Sequence, residues 1–332
     1  SETKHIISPK SKRITIGSTE QEVHKFWGKF PSDGEQQLGS PDIIHANNFY
    51  CPPNLQSAKL VYTLYDLSFL EVPEYTTEQN RWICFNGVFK AVMYADFIIT
   101  ISEYSRRRIL ETFPHLSTNR IRTITLGSRF SDVPYDSVIA KPMSGIIKDN
   151  FWLTVGTLEP RKNLRNLLKA YSEYAKMDGN IMPLVLAGGF GWLEVGLQEY
   201  INKLGIHDKV ILTGYASDDE LVWLYKHCFA FIYPSLYEGF GLPVLEAMSM
   251  GAAVIASNKT SIPEVTGKAA HLIDPKNIQQ IVSAFLQIAH DEEYRAWLQL
   301  SAKEQAKNFS WQMAASEVME IYEDVMCLPK NN

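Results

Sequence analysis

The sequence predicts an α/β protein made of two successive parallel-sheet units, each with helices on both faces. Three observations carry this. From about residue 42 to residue 325, short apolar runs rich in β-branched and aromatic residues alternate with segments of helical spacing. A polar stretch with proline and glycine, 131–150, divides that alternation into two series. The chain has 332 residues, enough for two domains of ~100–200 residues each.

The first series opens weakly. Within residues 1–40, Arg13-Ile14-Thr15-Ile16 reads as a short strand and Phe30-Pro31-Ser32-Asp33-Gly34 as a turn. Asp42-Ile43-Ile44-His45 reads as a buried strand that enters a polar loop, Ala46-Asn47-Asn48-Phe49. Residues 59–64 form the next strand, which ends at Tyr65-Asp66. Apolar spacing over 77–94 predicts a helix. Residues 96–101 follow as a strand, and Ser102 can cap the next helix through its side-chain oxygen. On that helix Arg106-Arg107-Arg108 cannot share one face. They read as a solvated surface, with docking to an anionic lipid or a lipid-linked acceptor left open. Residues 120–126 form a last strand, closed by Gly127.

The second series repeats the pattern. Strands are predicted at 151–155, 184–187, 210–212, 230–233, 253–256 and 269–273, and helices at 164–177, 193–204, 218–227 and from 243 onward. Residues 278–325 are mostly helical, with a break at Phe309-Ser310-Trp311. In an open α/β sheet, ligands bind beyond the C-terminal ends of the strands. Arg161-Lys162, Gly188-Gly189, Gly214-Tyr215 and Glu238 all follow strands, so they should line one edge of the second unit.

Composition excludes several classes. Hydrophobic residues make up 45% and charged residues 21% of the chain, as in ordinary globular proteins. The net charge of −5 argues against broad nucleic-acid binding. No apolar run approaches the ~18 residues of a membrane span. Cys51, Cys84, Cys228 and Cys327 form no Cys-x-x-Cys pair, and the eight histidines show no ligand spacing. Reduced thiols and a cytoplasmic location are therefore expected.

The most informative stretch is Pro234-Ser235-Leu236-Tyr237-Glu238-Gly239-Phe240-Gly241-Leu242-Pro243-Val244-Leu245-Glu246-Ala247-Met248. It reads as a strand end, a glycine-rich loop and a helix start with proline in its first turn. The free N–H groups there suit an anion, and Glu238 and Glu246 bracket it. Hydroxyl-rich groups, a sugar on one side and a ribose on the other, would fit two such acceptors. Arg161 and Lys162, between a strand and a helix, would suit a diphosphate.

These residues resemble the Glu-x7-Glu motif of glycosyltransferase family 4, the retaining enzymes of GT-B fold, and the resemblance extends over about residues 40–325. It implies two Rossmann-like domains facing across a cleft, a first at 1–148 and a nucleotide-sugar-binding second at 149–309, with a terminal helix, 310–332, packing back on the first. It implies a donor site of Arg161, Lys162, Gly188, Gly189, Gly214, Tyr215, Glu238, Gly239, Phe240, Gly241, Leu242 and Glu246. Gly156-Thr157-Leu158-Glu159-Pro160-Arg161-Lys162-Asn163 matches the diphosphate-holding segment, with Thr157 where many relatives carry arginine. Tyr65-Asp66 matches the usual His-Asp pair beside the transferred sugar, with tyrosine in place of histidine. His45, Asn47 and Asn48 resemble the family's His-x-x-Asn loop near the acceptor, and Ser102 lies in its Val-Ser-Glu-Phe-like segment. Glu264, in a segment that often reads Ser-Ser-Leu-Pro-Glu, is expected to be structural.

The function implied is transfer of a sugar, with mannose from GDP-mannose as first choice, to a glycan or lipid-linked glycan in surface polysaccharide assembly. Neither a metal nor a further cofactor is expected. Peripheral contact with the inner face of the membrane is compatible with that role. A GT-B nucleotide-sugar epimerase and a non-catalytic nucleotide- or partner-binding protein remain the alternatives. The segment before residue 40 holds no Gly-Gly or Gly-x-Gly and is short for the family's opening strands. The first domain is therefore expected to be trimmed, or completed by a missing segment or a partner chain.

Overall fold

The computed structural model describes residues 19–47, 50–131, 143, 145–178, 181–191 and 195–329. The strand read at 13–16, Asn48, most of the 131–150 stretch and the start of the helix read at 193 lie outside them.

Helix α1 (Glu20–Gly28) and the single turn α2 (Gly34–Gln37) precede β1 (Ile43–Asn47) and β2 (Lys59–Thr63). A short turn, α3 (Ser68–Glu71), and the long α4 (Glu78–Tyr94) lead to β3 (Phe97–Thr100), α5 (Glu103–Thr112) and β4 (Ile121–Thr123). These four strands form a parallel sheet in the order β1-β2-β3-β4. Helix α1 escaped the sequence reading; a Thr19–Glu22 capping box starts it. The strand expected over 120–126 is cut to three residues.

The second sheet begins at β5 (Trp152–Val155), followed by a 3-10 turn at Pro160–Lys162, α6 (Leu164–Met177), β6 (Leu184–Ala187), α7 (Leu197–Leu204), β7 (Val210–Gly214), α8 (Asp218–His227) and β8 (Ala230–Tyr233). It continues through α9 (Leu242–Ser249), β9 (Val254–Ser257), α10 (Ile262–Thr266) and β10 (His271–Ile273). Helices α11 (Ile278–His290), α12 (Glu292–Ala306) and α13 (Trp311–Cys327) close the described chain. All six strands are parallel, in the order β10-β9-β8-β5-β6-β7.

Both sheets are apolar on two faces because alternate residues point to opposite sides. In the second, Leu153, Val155, Phe231 and Tyr233 meet α8 to α10, while Trp152, Leu184, Leu186 and Ile232 meet α6, α7 and α11. In the first, Leu60, Tyr62 and Ile98 face α4. Val61, Phe97 and Ile99 face Ala314, Ile321 and Val325 of α13, so the last helix returns to the first sheet. Ser310 starts it by accepting from the Met313 amide.

Strand order fixes where a ligand can sit. The chain moves outward from β5 through β6 to β7, then crosses back and moves the other way from β8 through β9 to β10. The reversal lies between β5 and β8, and a crevice opens at such a point beyond the strand ends.

Candidate active site

The two segments that leave this switch point carry the expected donor-site charges, and the fold brings them into contact. Arg161 and Lys162 occupy the 3-10 turn after β5, and Glu238 lies five residues beyond the end of β8. Arg161 Nη1 is 2.6 Å from Glu238 Oε2, and Lys162 Nζ is 2.8 Å from Glu238 Oε1. Tyr233 OH (2.9 Å) and Ser235 Oγ (2.6 Å) also donate to Oε1, and Lys162 bonds Tyr233 OH. Arg161 Nη2 donates to Glu159 Oε1 over 2.6 Å, and its Nη1 to the Tyr237 carbonyl over 2.8 Å.

Two cations and two carboxylates thus form a compensated cluster, which burial requires. Burial pushes the Glu238 carboxyl up, but Arg161 and Lys162 outweigh it and hold the group down at about 2. Burial pulls the Lys162 ammonium down, and Glu238 opposes that. The basic pair is therefore not the bare cationic patch its sequence suggested. The Lys162 side chain keeps 10% exposure and that of Arg161 23%, so Arg161 is the more reachable cation.

Glu246 stands apart from this cluster, in the second turn of α9. It is buried, accepting from Arg129 Nε at 2.7 Å and from Tyr225 OH at 3.0 Å. Burial raises its carboxyl above the ordinary range, although Arg129 and Tyr225 pull the other way.

The glycine loops complete the floor. The Gly156 amide donates to Ala187 O, that of Gly188 to Gly214 O, and that of Leu158 to Gly189 O. Gly188 has φ +155, and a Cβ there would stand 2.0 Å from Gly156 O. Only glycine lets these two strand ends approach so closely. Tyr215 is 84% exposed. Phe240 faces the other way: its side chain is buried in the core beside Phe309, so only its backbone can meet a ligand. Leu242 packs partly on the same core.

The first unit closes one side. Asp66 Oδ1 accepts from the Ser68 amide at 2.8 Å, so the residue does cap its own loop. It also presses on Gly239, where an added Cβ would lie 2.7 Å from Asp66 Oδ2. Tyr65 packs on the core of the second unit, and burial raises its phenol. Ser102 is buried and accepts from the Ser105 amide, and Ser105 Oγ donates to Gly239 O at 3.4 Å. The amides of Glu103 (2.8 Å) and Tyr104 (2.6 Å) donate to Glu264 on α10. A carboxylate of one unit thus caps a helix of the other.

One expectation is corrected. His45 does not end its strand: Ala46 and Asn47 pair in register with Tyr62 and Thr63, so β1 runs on to Asn47. Both His45 ring nitrogens are engaged, Nδ1 with Tyr322 OH (2.6 Å) and Nε2 with Thr63 Oγ1 (2.7 Å). That ties β1 to α13. Asn47 is exposed at the strand's C-terminal end, and Asn48 lies outside the described residues. The arginine triplet is committed locally: Arg106 to Glu103, Arg108 to Glu71 and Glu111, and Arg107 over the Tyr104 ring.

Sequence reasoning missed Glu159, Tyr233, Arg129 and Tyr225 as partners in the site. The first two lie beside singled-out residues, so strand–loop adjacency could have found them. Arg129 has no such signal.

Comparison with known proteins agrees with this geometry. Residues 141–305 match the family described as "Glycosyl transferases group 1". The O-antigen chain mannosyltransferase B of Escherichia coli is 34% identical over 283 residues, which cover 84% of this chain and 74% of that protein. The chain belongs to the group 1 glycosyltransferases. This glycosyltransferase is also 30% identical over 301 residues to the serotype-specific mannosyltransferase WbdA of Escherichia coli, but spans only 36% of that longer protein. Its fold is GT-B. Anabaena Alr3699/HepE, solved in complex with UDP and glucose, superposes with a TM-score of 0.71 at 20% identity, covering 90% of this chain and 84% of that one. WaaG, a glycosyltransferase of lipopolysaccharide biosynthesis, superposes with a TM-score of 0.69 at 16% identity, covering 93% and 85%. Among the described residues of this glycosyltransferase, no helix is long and apolar enough to cross a membrane, and no cluster of three or more His, Cys, Asp or Glu could hold a metal.

Proposed function

We propose that the chain is a retaining mannosyltransferase that moves mannose from GDP-mannose to a hydroxyl of a glycan or lipid-linked glycan during surface polysaccharide assembly. The observation that carries the reading is the meeting of Arg161, Lys162 and Glu238 at the switch point, with Glu246 eight residues further on. The mannosyltransferases among its relatives support the choice of sugar.

Arg161, with Lys162 behind it, stabilises the charge that grows on the diphosphate as the bond between the sugar's anomeric carbon and the phosphate oxygen breaks. The acceptor oxygen bonds that carbon on the same face, and its proton passes to the departing diphosphate. Glu238, held ionised by its two cations, accepts from sugar hydroxyls, and Glu246 accepts from the ribose. Asp66 and Tyr65 bound the sugar pocket from the first unit.

Incubation with GDP-mannose, UDP-glucose or UDP-N-acetylglucosamine and a mannose-terminated oligosaccharide tests this. The expected result is transfer from GDP-mannose alone, with α-configured product by NMR. Transfer from a different donor, a β product, or conversion of the donor to an epimer without acceptor would each overturn it.

A further inference from the structure

Glu246 is held by a residue that no spacing argument picks out. Arg129 lies in the segment leading from β4 toward the second sheet, and its neighbours pin it there. Ser128 Oγ is 2.9 Å from Ser249 Oγ at the end of α9. Phe130 is buried, with its ring 6.1 Å from that of Tyr225. From this footing the guanidinium forks. Nε donates to Glu246 Oε1 on α9, and Nη1 donates to Asp218 Oδ1, at 2.8 Å, at the start of α8. Tyr225 OH takes the other Glu246 oxygen. Each oxygen of Glu246 then carries one donor. An ionised carboxylate offers about four lone-pair sites, so each oxygen keeps a site for a ligand hydroxyl.

We infer that Arg129 is the positioning residue that makes Glu246 a ribose acceptor, holding the carboxylate in one orientation with its charge compensated. This rests on the reading of Glu246 as the ribose contact and adds the residue that enables it. Two ribose hydroxyls are donors, and an ionised acceptor bonds them more strongly than a neutral carboxyl. The charged and titratable groups facing Glu246 are Arg129, Tyr225 and Asp218. Tyr225 is a neutral donor, since burial raises its phenol well above the ordinary value. Asp218 repels the carboxylate, and Arg129 is the cation that opposes both burial and Asp218. Its removal would carry a carboxyl that already titrates high still higher.

The test is calorimetric titration with GDP and UDP and with their 2′,3′-dideoxy counterparts, on the wild type, Arg129→Ala, Arg129→Lys and Glu246→Gln. The wild type is expected to prefer the ribo form at least tenfold, and Glu246→Gln to lose that preference. Arg129→Ala should lose it at least fivefold near neutral pH and regain part of it as the pH is raised, since loss of the cation moves the Glu246 carboxyl further up. The wild type should depend on pH less steeply than Arg129→Ala over the same series, and Arg129→Lys should recover part of the preference throughout. A purely structural role would lower affinity for both sugar forms alike, with no pH dependence in their ratio. If Arg129→Ala keeps the wild-type preference while Glu246→Gln loses it, Arg129 has no such role and the ribose reading stands. A wild type that binds neither form, or both equally, overturns the ribose reading and this proposal with it.

Discussion

At the scale of single residues, Glu238 decides the most. Its carboxyl titrates at about 2 against an ordinary 4.5. A group whose folded value is depressed adds stability above its unfolded value and loses it as pH falls toward the folded one. Stability should therefore drop between about pH 4.5 and pH 2, where Arg161 and Lys162 remain charged. Glu238→Gln should flatten that part of a urea-unfolding series measured against pH. Lys162→Ala removes one partner of a buried pair. It should cost about 3 kcal/mol of stability, at the low end for such a loss because Arg161 stays, and weaken GDP-mannose binding as well. A stability equal to wild type would show that the cluster is not closed in solution. Tyr65 packs rather than bonds, so Tyr65→Phe should keep most of its transfer rate and Tyr65→Ala should lose roughly tenfold, about 1.4 kcal/mol. Equal rates in all three proteins would place Tyr65 outside the site. Glu238, Arg161 and Lys162 were legible in the sequence because each sits a few residues past a strand, where chain order alone predicts a ligand edge. Arg129 and Glu264 were not. Their partners lie 117 and about 160 residues away, and nothing local encodes such a meeting. Phe240 misled for the opposite reason: it stands inside the motif, yet its ring fills the core.

At the scale of elements, α5 depends on a neighbour from the other half of the molecule. Its first amides point at Glu264, where a negative charge is favoured by the helix dipole. Glu264→Ala should destabilise by about 1 kcal/mol, as for other lost N-terminal caps. It should also widen the ligand-free particle in small-angle scattering, since the contact spans both units; an unchanged profile would make the cap purely local. Gly188→Ala tests the floor of the site. Its Cβ has no room beside Gly156 O, and a loss above about 2 kcal/mol is expected. The strand and helix types were readable because short, fully apolar runs alternate with segments of period 3.6 through most of the chain. Helix α1 was not, because its apolar residues cover barely two turns. The end of β1 was misjudged because Ala46 and Asn47 look like loop residues and are held in the strand only by the register with β2.

At the scale of the whole molecule, two parallel sheets could be read from alternation alone, but their order could not. Whether β8 pairs with β5 or with β7 depends on which crossover buries more surface, and no short segment records that. The switch point became visible only in three dimensions, although the residues that line it were named from the sequence. Closure belongs to this scale too. Asp66 on Gly239, Ser105 on Gly239 and Glu264 on α5 join the units at three places. Donor and acceptor analogue together should shrink the particle in small-angle scattering, and an identical profile with and without them would argue against movement.

The return of α13 to the first sheet also sets an order of events during synthesis. Val61, Phe97 and Ile99 are made early, but the residues that cover them, Ala314, Ile321 and Val325, are among the last described. From 215 to 264 residues separate the two groups, which at ~5–20 residues per second is on the order of 10–50 s on the ribosome. Through that interval one face of the first sheet stands bare while the second unit emerges and folds. The half that is made first is therefore finished last, and a nascent chain stalled before Ser310 should be captured by a chaperone at that uncovered face.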